Sequence, residues 1–240
     1  MSNIGERLKI VKDRISESCQ RADRSPSGVK LVVVTKSATI DQIRQVVSLG
    51  CNELGENRVQ RLRQVSAEIG EYARSAGDEG ASLGDVKWHM VGHLQRNKIR
   101  KVLPIASLIH SVDTLRLAES LNTTAGKVGM KPRVLLQINA SREPQKYGVP
   151  VAAGIHLAEQ MKMMENIELV GLMTMAPLTR NKDLVKATFA RTKELFEEMK
   201  GERVVGEEFC ELSMGMSSDY QIAVEQGATI VRIGSAIFSG

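Results

Sequence analysis

The sequence predicts an α/β protein built as a single (β/α)8 TIM barrel with an extra N-terminal helix, residues 1–240 forming one domain. Three observations carry that prediction. Eight short apolar runs alternate with stretches of helical periodicity along 240 residues, the count that a closed parallel barrel requires. The first run, Leu31-Val32-Val33-Val34-Thr35-Lys36, is continuously apolar and β-branched before its polar end, as a strand covered on both faces must be. No Gly-x-Gly-x-x-Gly turn follows it, whereas an open doubly wound sheet usually begins with one.

The elements follow in order. Residues 3–23 place Ile4, Leu8, Val11, Ile15, Cys19 and Ala22 three or four apart, the stripe of an amphipathic helix lying on a core. Ser25-Pro26-Ser27-Gly28 is a turn signal, and the strand 31–36 comes next. Thr39 or Ser37 can cap the following helix, whose Ile40, Ile43, Val46 and Val47 face inward until Gly50 stops it. Further strand-like runs cover 51–55, 86–91, 108–112, 134–138, 169–175, 209–214 and 229–233. Helices are expected near 57–69, 95–102, 114–126, 151–165, 182–200 and 218–226. Asp113 and Asp183 look like helix starts, and Gly227 looks like a stop. The segment 70–85, with Gly70, Gly77, Gly80 and Gly84 among serines and aspartates, has loop composition.

Composition removes several function classes. No apolar stretch approaches the roughly 18 residues that span a bilayer, and the N-terminal residues lack the apolar core of a signal peptide. Three widely spaced cysteines, Cys19, Cys51 and Cys210, argue against a disulfide framework or a structural zinc site, and fit a reducing cytoplasm. The net charge of +5 suggests nucleic acid, but the basic residues are dispersed and aromatics make up only 3%. Solvated helix faces and one small anionic ligand account for the charge instead. His89 and His93 stand four apart, yet Gly92 and a strand end lie between them, so no metal site is expected there.

A barrel binds ligands at the carboxyl ends of its strands, so chemistry-bearing residues should gather just past them. They do. Lys36 follows strand one, Asn57 follows strand two, and His93 follows strand three. Ser213, Ser217 and Ser218 follow strand seven, while Arg232, Gly234 and Ser235 close strand eight and open a short helix at 234–238. Barrels commonly seat a phosphate between their last two loops, at the amino end of such a helix. Gly234 permits close backbone approach, and the serines offer hydroxyl donors. A phosphate cradle at one side and a lysine expected to be partly buried at the other suit a phosphorylated carbonyl compound held as a Schiff base. Pyridoxal 5'-phosphate (PLP) has that form.

These residues also carry a resemblance. Val34-Thr35-Lys36, Gly55-Glu56-Asn57-x-Val59-Gln60, Trp88-His89-x-Val91-Gly92-x-Leu94-Gln95-x-Asn97-Lys98 and Ser141-x-Glu143-x-x-Lys146-x-Gly148 form the first half of the pattern. Gly171-Leu172-Met173, Leu212-Ser213-Met214-Gly215-Met216-Ser217-x-Asp219 and Arg232-Ile233-Gly234-Ser235-Ala236-Ile237-Phe238 complete it. In this order they resemble the pyridoxal-phosphate homeostasis protein family, relatives of the barrel domain of alanine racemase. The resemblance implies that Lys36 forms the Schiff base, that Ser213, Ser217, Gly234 and Ser235 surround the phosphate, and that Asn57 lies beside the ring. It also implies that Arg232 approaches the pyridine nitrogen, which would mute carbanion chemistry. Two positions depart from the pattern: Arg58 stands where relatives often carry an aromatic residue, and Ser235 where threonine is usual.

The function implied is cytoplasmic binding and handling of vitamin B6 without robust turnover, apo PLP-dependent enzymes being the implied recipients. The alternative is a weak amino-acid racemase whose second base is a barrel residue such as His93 or Tyr147. The racemases' second domain, which supplies their second base and much of their dimer contact, is not expected after Gly240, so a monomer is predicted.

Overall fold

The computed structural model of the chain describes residues 3–75 and 86–239. Nine parallel strands, separated by helices except between β5 and β6, are formed by those residues: β1 Lys30–Val34, β2 Glu53–Glu56, β3 Lys87–Met90, β4 Ala106–Val112, β5 Arg133–Asn139, β6 Val149–Pro150, β7 Glu168–Thr174, β8 Glu211–Ser213 and β9 Ile230–Ile233. The helices are α1 Ile4–Arg21, α2 Ile40–Ser48, α3 Val59–Ser75, α4 Ile99–Val102, α5 Leu115–Lys127, α6 Val151–Lys162, α7 Lys182–Gly201, α8 Tyr220–Glu225 and α9 Ser235–Phe238. The strand order β4-β3-β2-β1-β9-β8-β7-β5, with β4 also paired to β5, closes an eight-strand parallel barrel. The two-residue β6 adds to the side of β5, with Val149 opposite Ile138 and Pro150 opposite Asn139. Proline lacks a backbone donor, so such a position suits it only at an edge.

The strands alternate inward and outward. Val32, Leu108, Leu135, Val170, Met173 and Ile230 pack together as one apolar cluster inside the barrel. Their neighbours Val33, Leu54, Leu136 and Val231 belong to the larger cluster shared with the helices. β1 and β9 pair from Lys30 with Ile230 to Val33 with Ile233, so the first and last strands lie side by side.

α1 covers that seam. Asn3 and Glu6 form a capping box at its start, and Ile4, Leu8, Val11, Ile15 and Cys19 are its buried stripe. It packs on α8 and α9. Arg7 Nε donates to the carbonyl oxygen of Ile237 at 2.7 Å, holding the far end of α9, and Arg24 donates to the carbonyls of Val224 and Ala228.

Several boundaries differ from those the sequence predicts. α3 continues through Gly70 to Ser75, so residues 70–75 of the expected loop are helical, while 76–85 lie outside the described residues. The helix expected at 95–102 is a 3-10 turn, Arg96–Lys98, followed by the single α-turn of α4. Residues 95–98 are all polar and supply no apolar stripe to hold a full helix. α5 is capped by Thr114, whose hydroxyl accepts from the Leu117 N–H, and not by Asp113. α7 is capped by Asn181, leaving Asp183 in its first turn. Thr39 caps α2 in a capping box with Gln42.

Candidate cofactor site

A cavity of about 440 Å³ opens at the carboxyl ends of the strands, within the size range of small-ligand sites. Six of the seven residues singled out in the sequence line it: Lys36, Asn57, Ser217, Arg232, Gly234 and Ser235. Ser37, His93, Gln137, Tyr147, Met175 and Met216 are also part of its wall.

Lys36 sits in the turn just past β1, exposed and not partly buried as expected. Its neighbour Thr35 anchors that turn. Thr35 is fully buried, its N–H donates to the Gly55 carbonyl at 2.9 Å, and its hydroxyl donates to Glu56 Oε1 at 2.6 Å. Burial pushes the Glu56 carboxyl above the ordinary range, against the opposing pulls of the Thr35 hydrogen bond, Arg61 and the Asn57 N–H. Arg61 in turn donates to the Ala38 carbonyl at 2.7 Å, tying α3 to the lysine turn. Asn57 is pressed against Gly92, where a Cβ would lie 2.2 Å from the Asn57 carbonyl oxygen. Only glycine fits there.

Past the adjacent strand β9, the N–H groups of Gly234 and Ala236 both donate to Ser217 Oγ, at 3.3 and 3.2 Å. Two backbone donors converging on one oxygen at a helix start form an anion nest. The serine oxygen occupies the place where an anionic oxygen can sit. A Cβ on Gly234 would stand 2.8 Å from the Val34 carbonyl oxygen, so the close approach of β9 to β1 requires glycine. Asp219 Oδ1 accepts from the Met216 N–H at 2.6 Å and shapes the preceding turn.

Ser213 differs from expectation. Fully buried, it lies beneath the cavity wall, where its hydroxyl oxygen accepts from Arg232 Nη1 at 2.6 Å and pairs with His110 Nδ1 at 2.9 Å. β8 ends there, which leaves the Ser217 turn above it to form the cradle. Arg232 forms the floor, with Nη2 donating to the Thr174 carbonyl at 3.0 Å. Burial pulls its pKa down to about 10, partly offset by Asp219, so it remains a cation at neutral pH.

His93 at the rim pairs through Nδ1 with Asp113 Oδ2 at 3.1 Å, and its ring stacks on Tyr147 at 4.2 Å between centroids. His89 faces Glu53 and His110 instead, and among the described residues no group of three or more His, Cys, Asp or Glu side chains could hold a metal ion. Beside the rim lies a second, polar groove carrying Arg58, Arg63, Lys98 and Lys101, which shares Asn57 and His93 with the main cavity.

The residues present fit a phosphorylated aromatic aldehyde. A primary amine, an anion nest and a buried cation line one cavity. The sequence profile described as alanine racemase, N-terminal domain, matches residues 10–240. A protein of Aquifex aeolicus named pyridoxal phosphate homeostasis protein is 34% identical over 236 residues, covering 98% of this chain and 97% of its own length. The chain belongs to the alanine racemase N-terminal domain family, among the pyridoxal phosphate homeostasis proteins.

A solved relative in that family, PipY of Synechococcus elongatus PCC7942 with PLP bound, superposes with a TM-score of 0.81 at 33% identity, covering 99% of this chain and 100% of that one. An alanine racemase of Clostridium difficile 630 shares the fold, with a TM-score of 0.71 at 16% identity over 57% of its length. The family pattern and the cavity draw on largely the same residues. Gln137 and Met175 lie within the strand-like runs 134–138 and 169–175, where the positions just past strand ends do not point to them. Gln137 did leave a signal, as the lone polar residue inside the run 134–138.

Proposed function

We propose that this chain, as one domain over 1–240, binds PLP covalently through Lys36 and takes part in intracellular vitamin B6 homeostasis without robust turnover, with apo PLP-dependent enzymes as recipients. The observation that carries this reading is the joint presence, around one cavity, of Lys36, the Ser217–Gly234–Ala236 nest and Arg232. PLP binding in the PipY structure and the names of the relatives support it.

When bound, the cofactor supplies an aldehyde that condenses with amines and a ring that accepts electron density. Lys36 Nζ would be the primary amine that condenses with that aldehyde. The Gly234 and Ala236 N–H groups and the Ser217 and Ser235 hydroxyls would hold the phosphate. Asn57, braced by Gly92, would back the ring, and Arg232, a buried cation, would face its nitrogen and disfavour protonation there.

Purified protein titrated with PLP tests the reading. A new visible absorption band is expected, lost on borohydride treatment, with the label found on Lys36 by peptide mapping. Labelling at another lysine, or no covalent capture, refutes the proposed attachment. His93, oriented by Asp113, and Tyr147 are the cavity groups able to act as a second base. Incubation with D- or L-alanine in deuterated water therefore tests for turnover: sustained Cα exchange that Lys36→Ala abolishes overturns the non-catalytic part of the proposal.

A further inference from the structure

Beneath Arg232 an unbroken file of side-chain hydrogen bonds crosses the barrel interior to its opposite mouth. Arg232 Nη1 donates to Ser213 Oγ at 2.6 Å, Ser213 Oγ meets His110 Nδ1 at 2.9 Å, and His110 Nε2 meets His89 Nδ1 at 2.9 Å. His89 Nε2 then meets Glu53 Oε2 at 2.6 Å. The five residues come from β9, β8, β4, β3 and β2, and all but Glu53 are buried; Glu53 reaches partly into solvent beside Lys87. Isolated polar residues on the inner faces of strands cost stability unless every group is paired, and here they pair with one another.

We infer that Glu53, His89, His110 and Ser213 are positioning residues for Arg232, forming a relay with one fixed donor direction that sets how the guanidinium meets the cofactor. The two ends dictate that direction. A guanidinium only donates, and an ionised carboxylate only accepts. Neutral imidazoles between them must therefore each carry the proton on Nε2 and accept at Nδ1. The Ser213 hydroxyl proton then points at His110, leaving the oxygen's lone pairs to Arg232. The opposite arrangement requires a doubly protonated His89 and an Nδ1–H tautomer of His110. Ser213 Oγ would then accept from both His110 and Arg232, and its own proton would have no acceptor among the described residues. A buried unpaired hydroxyl is destabilising, and the added cation would sit near Arg232 in a dry interior. Burial, together with the positive charges of Arg232 and Lys30, keeps His110 neutral, in agreement with this direction.

Glu53 thus acts at a distance. Each donor in the file polarises the next, so the carboxylate's charge strengthens the Ser213 oxygen as an acceptor, and that oxygen together with the Thr174 carbonyl locks the guanidinium plane. The part of this inference that concerns PLP rests on the proposed function; the proton positions do not.

Two measurements separate the parts. Long-range ¹H–¹⁵N spectra of the full chain without added PLP should show His89 and His110 as neutral Nε2–H tautomers at pH 7. An Nδ1–H tautomer or an imidazolium at either position overturns the relay, with no variant needed. Glu53→Leu removes the terminal acceptor, whereas Glu53→Gln keeps an accepting oxygen. The Leu variant should give mixed tautomers at both histidines and about 3- to 10-fold weaker PLP binding, the size of one displaced neutral hydrogen bond, and the Gln variant should restore both. Unchanged tautomers and affinity in a folded Glu53→Leu variant overturn the proposal. If the wild-type tautomers are as stated but PLP does not bind, the relay stands and the cofactor reading falls.

Discussion

Replacing Gly234 by alanine tests the anion nest most directly. The added Cβ would lie 2.8 Å from the Val34 carbonyl oxygen and 3.4 Å from the Val34 Cβ. The oxygen belongs to a β1 backbone that is hydrogen-bonded on both sides, so no flexible side chain can yield. β9 and the start of α9 must move away by several tenths of an ångström, an overpacking cost of about 1–3 kcal/mol. For a protein of this size that lowers Tm by roughly 2–12 °C. The same movement turns the Gly234 and Ala236 N–H groups off their common focus. Weakening one charge-assisted hydrogen bond to phosphate, worth about 1.5–3 kcal/mol, reduces PLP affinity by about ten- to a hundredfold. Thermal unfolding and fluorescence titration with PLP read the two effects. Gly28→Ala is the control, since nothing lies within 4 Å of its added Cβ, and it should change stability by less than about 0.5 kcal/mol. If Gly234→Ala matches wild type in both Tm and PLP affinity, the close approach of β9 to β1 does not govern the cradle.

Three further outcomes follow from the packing and charge described above. Gly201, the last residue of α7, has open space around its Cβ position, so Gly201→Ala should stabilise the protein by about 0.4–1 kcal/mol in urea denaturation. Phe189, on the buried face of α7, is fully buried, and Phe189→Ala should cost about 3–5 kcal/mol in the same assay. The carboxyl of Glu56 is raised in the folded state, so its contribution favours folding below the unfolded pKa and is lost as pH rises through the higher folded value. Glu56→Gln should therefore gain stability relative to wild type as the pH is raised from about 4.5 toward 7, and a pH-independent difference in Tm would contradict the assignment.

The barrel was legible because its strands are chemically distinctive. A β-branched run such as Leu31–Val34 has to be covered on both faces, and repetition of such runs between helical stripes leaves few other architectures. Site residues next to strand ends were legible for the same reason: Lys36, Asn57, Gly234 and Ser235 follow strands by a few positions, and a closed barrel brings those positions together. What chain spacing cannot give is depth. Ser213 reads as one more serine after the seventh barrel strand, yet it sits one layer below Ser217 and serves Arg232. His89 and His110 read as isolated polar residues within strands, because their pairing depends on stagger between β3 and β4, where the register shifts after Trp88. Asp113 resembles a helix cap by type, but Thr114 takes that role and leaves the carboxylate to His93.

The seam between β1 and β9 also bears on when the protein can do anything. Adjacent parts of the cavity lining come from the turn after Val34 and the turn after Ile233, and α1 reaches from the opposite end of the sequence to clasp α9 through Arg7. A nascent chain still emerging from a ribosome has the lysine but no nest. Vitamin capture is thus restricted to molecules whose ring has already shut, and each captured molecule helps to hold that ring shut by mass action.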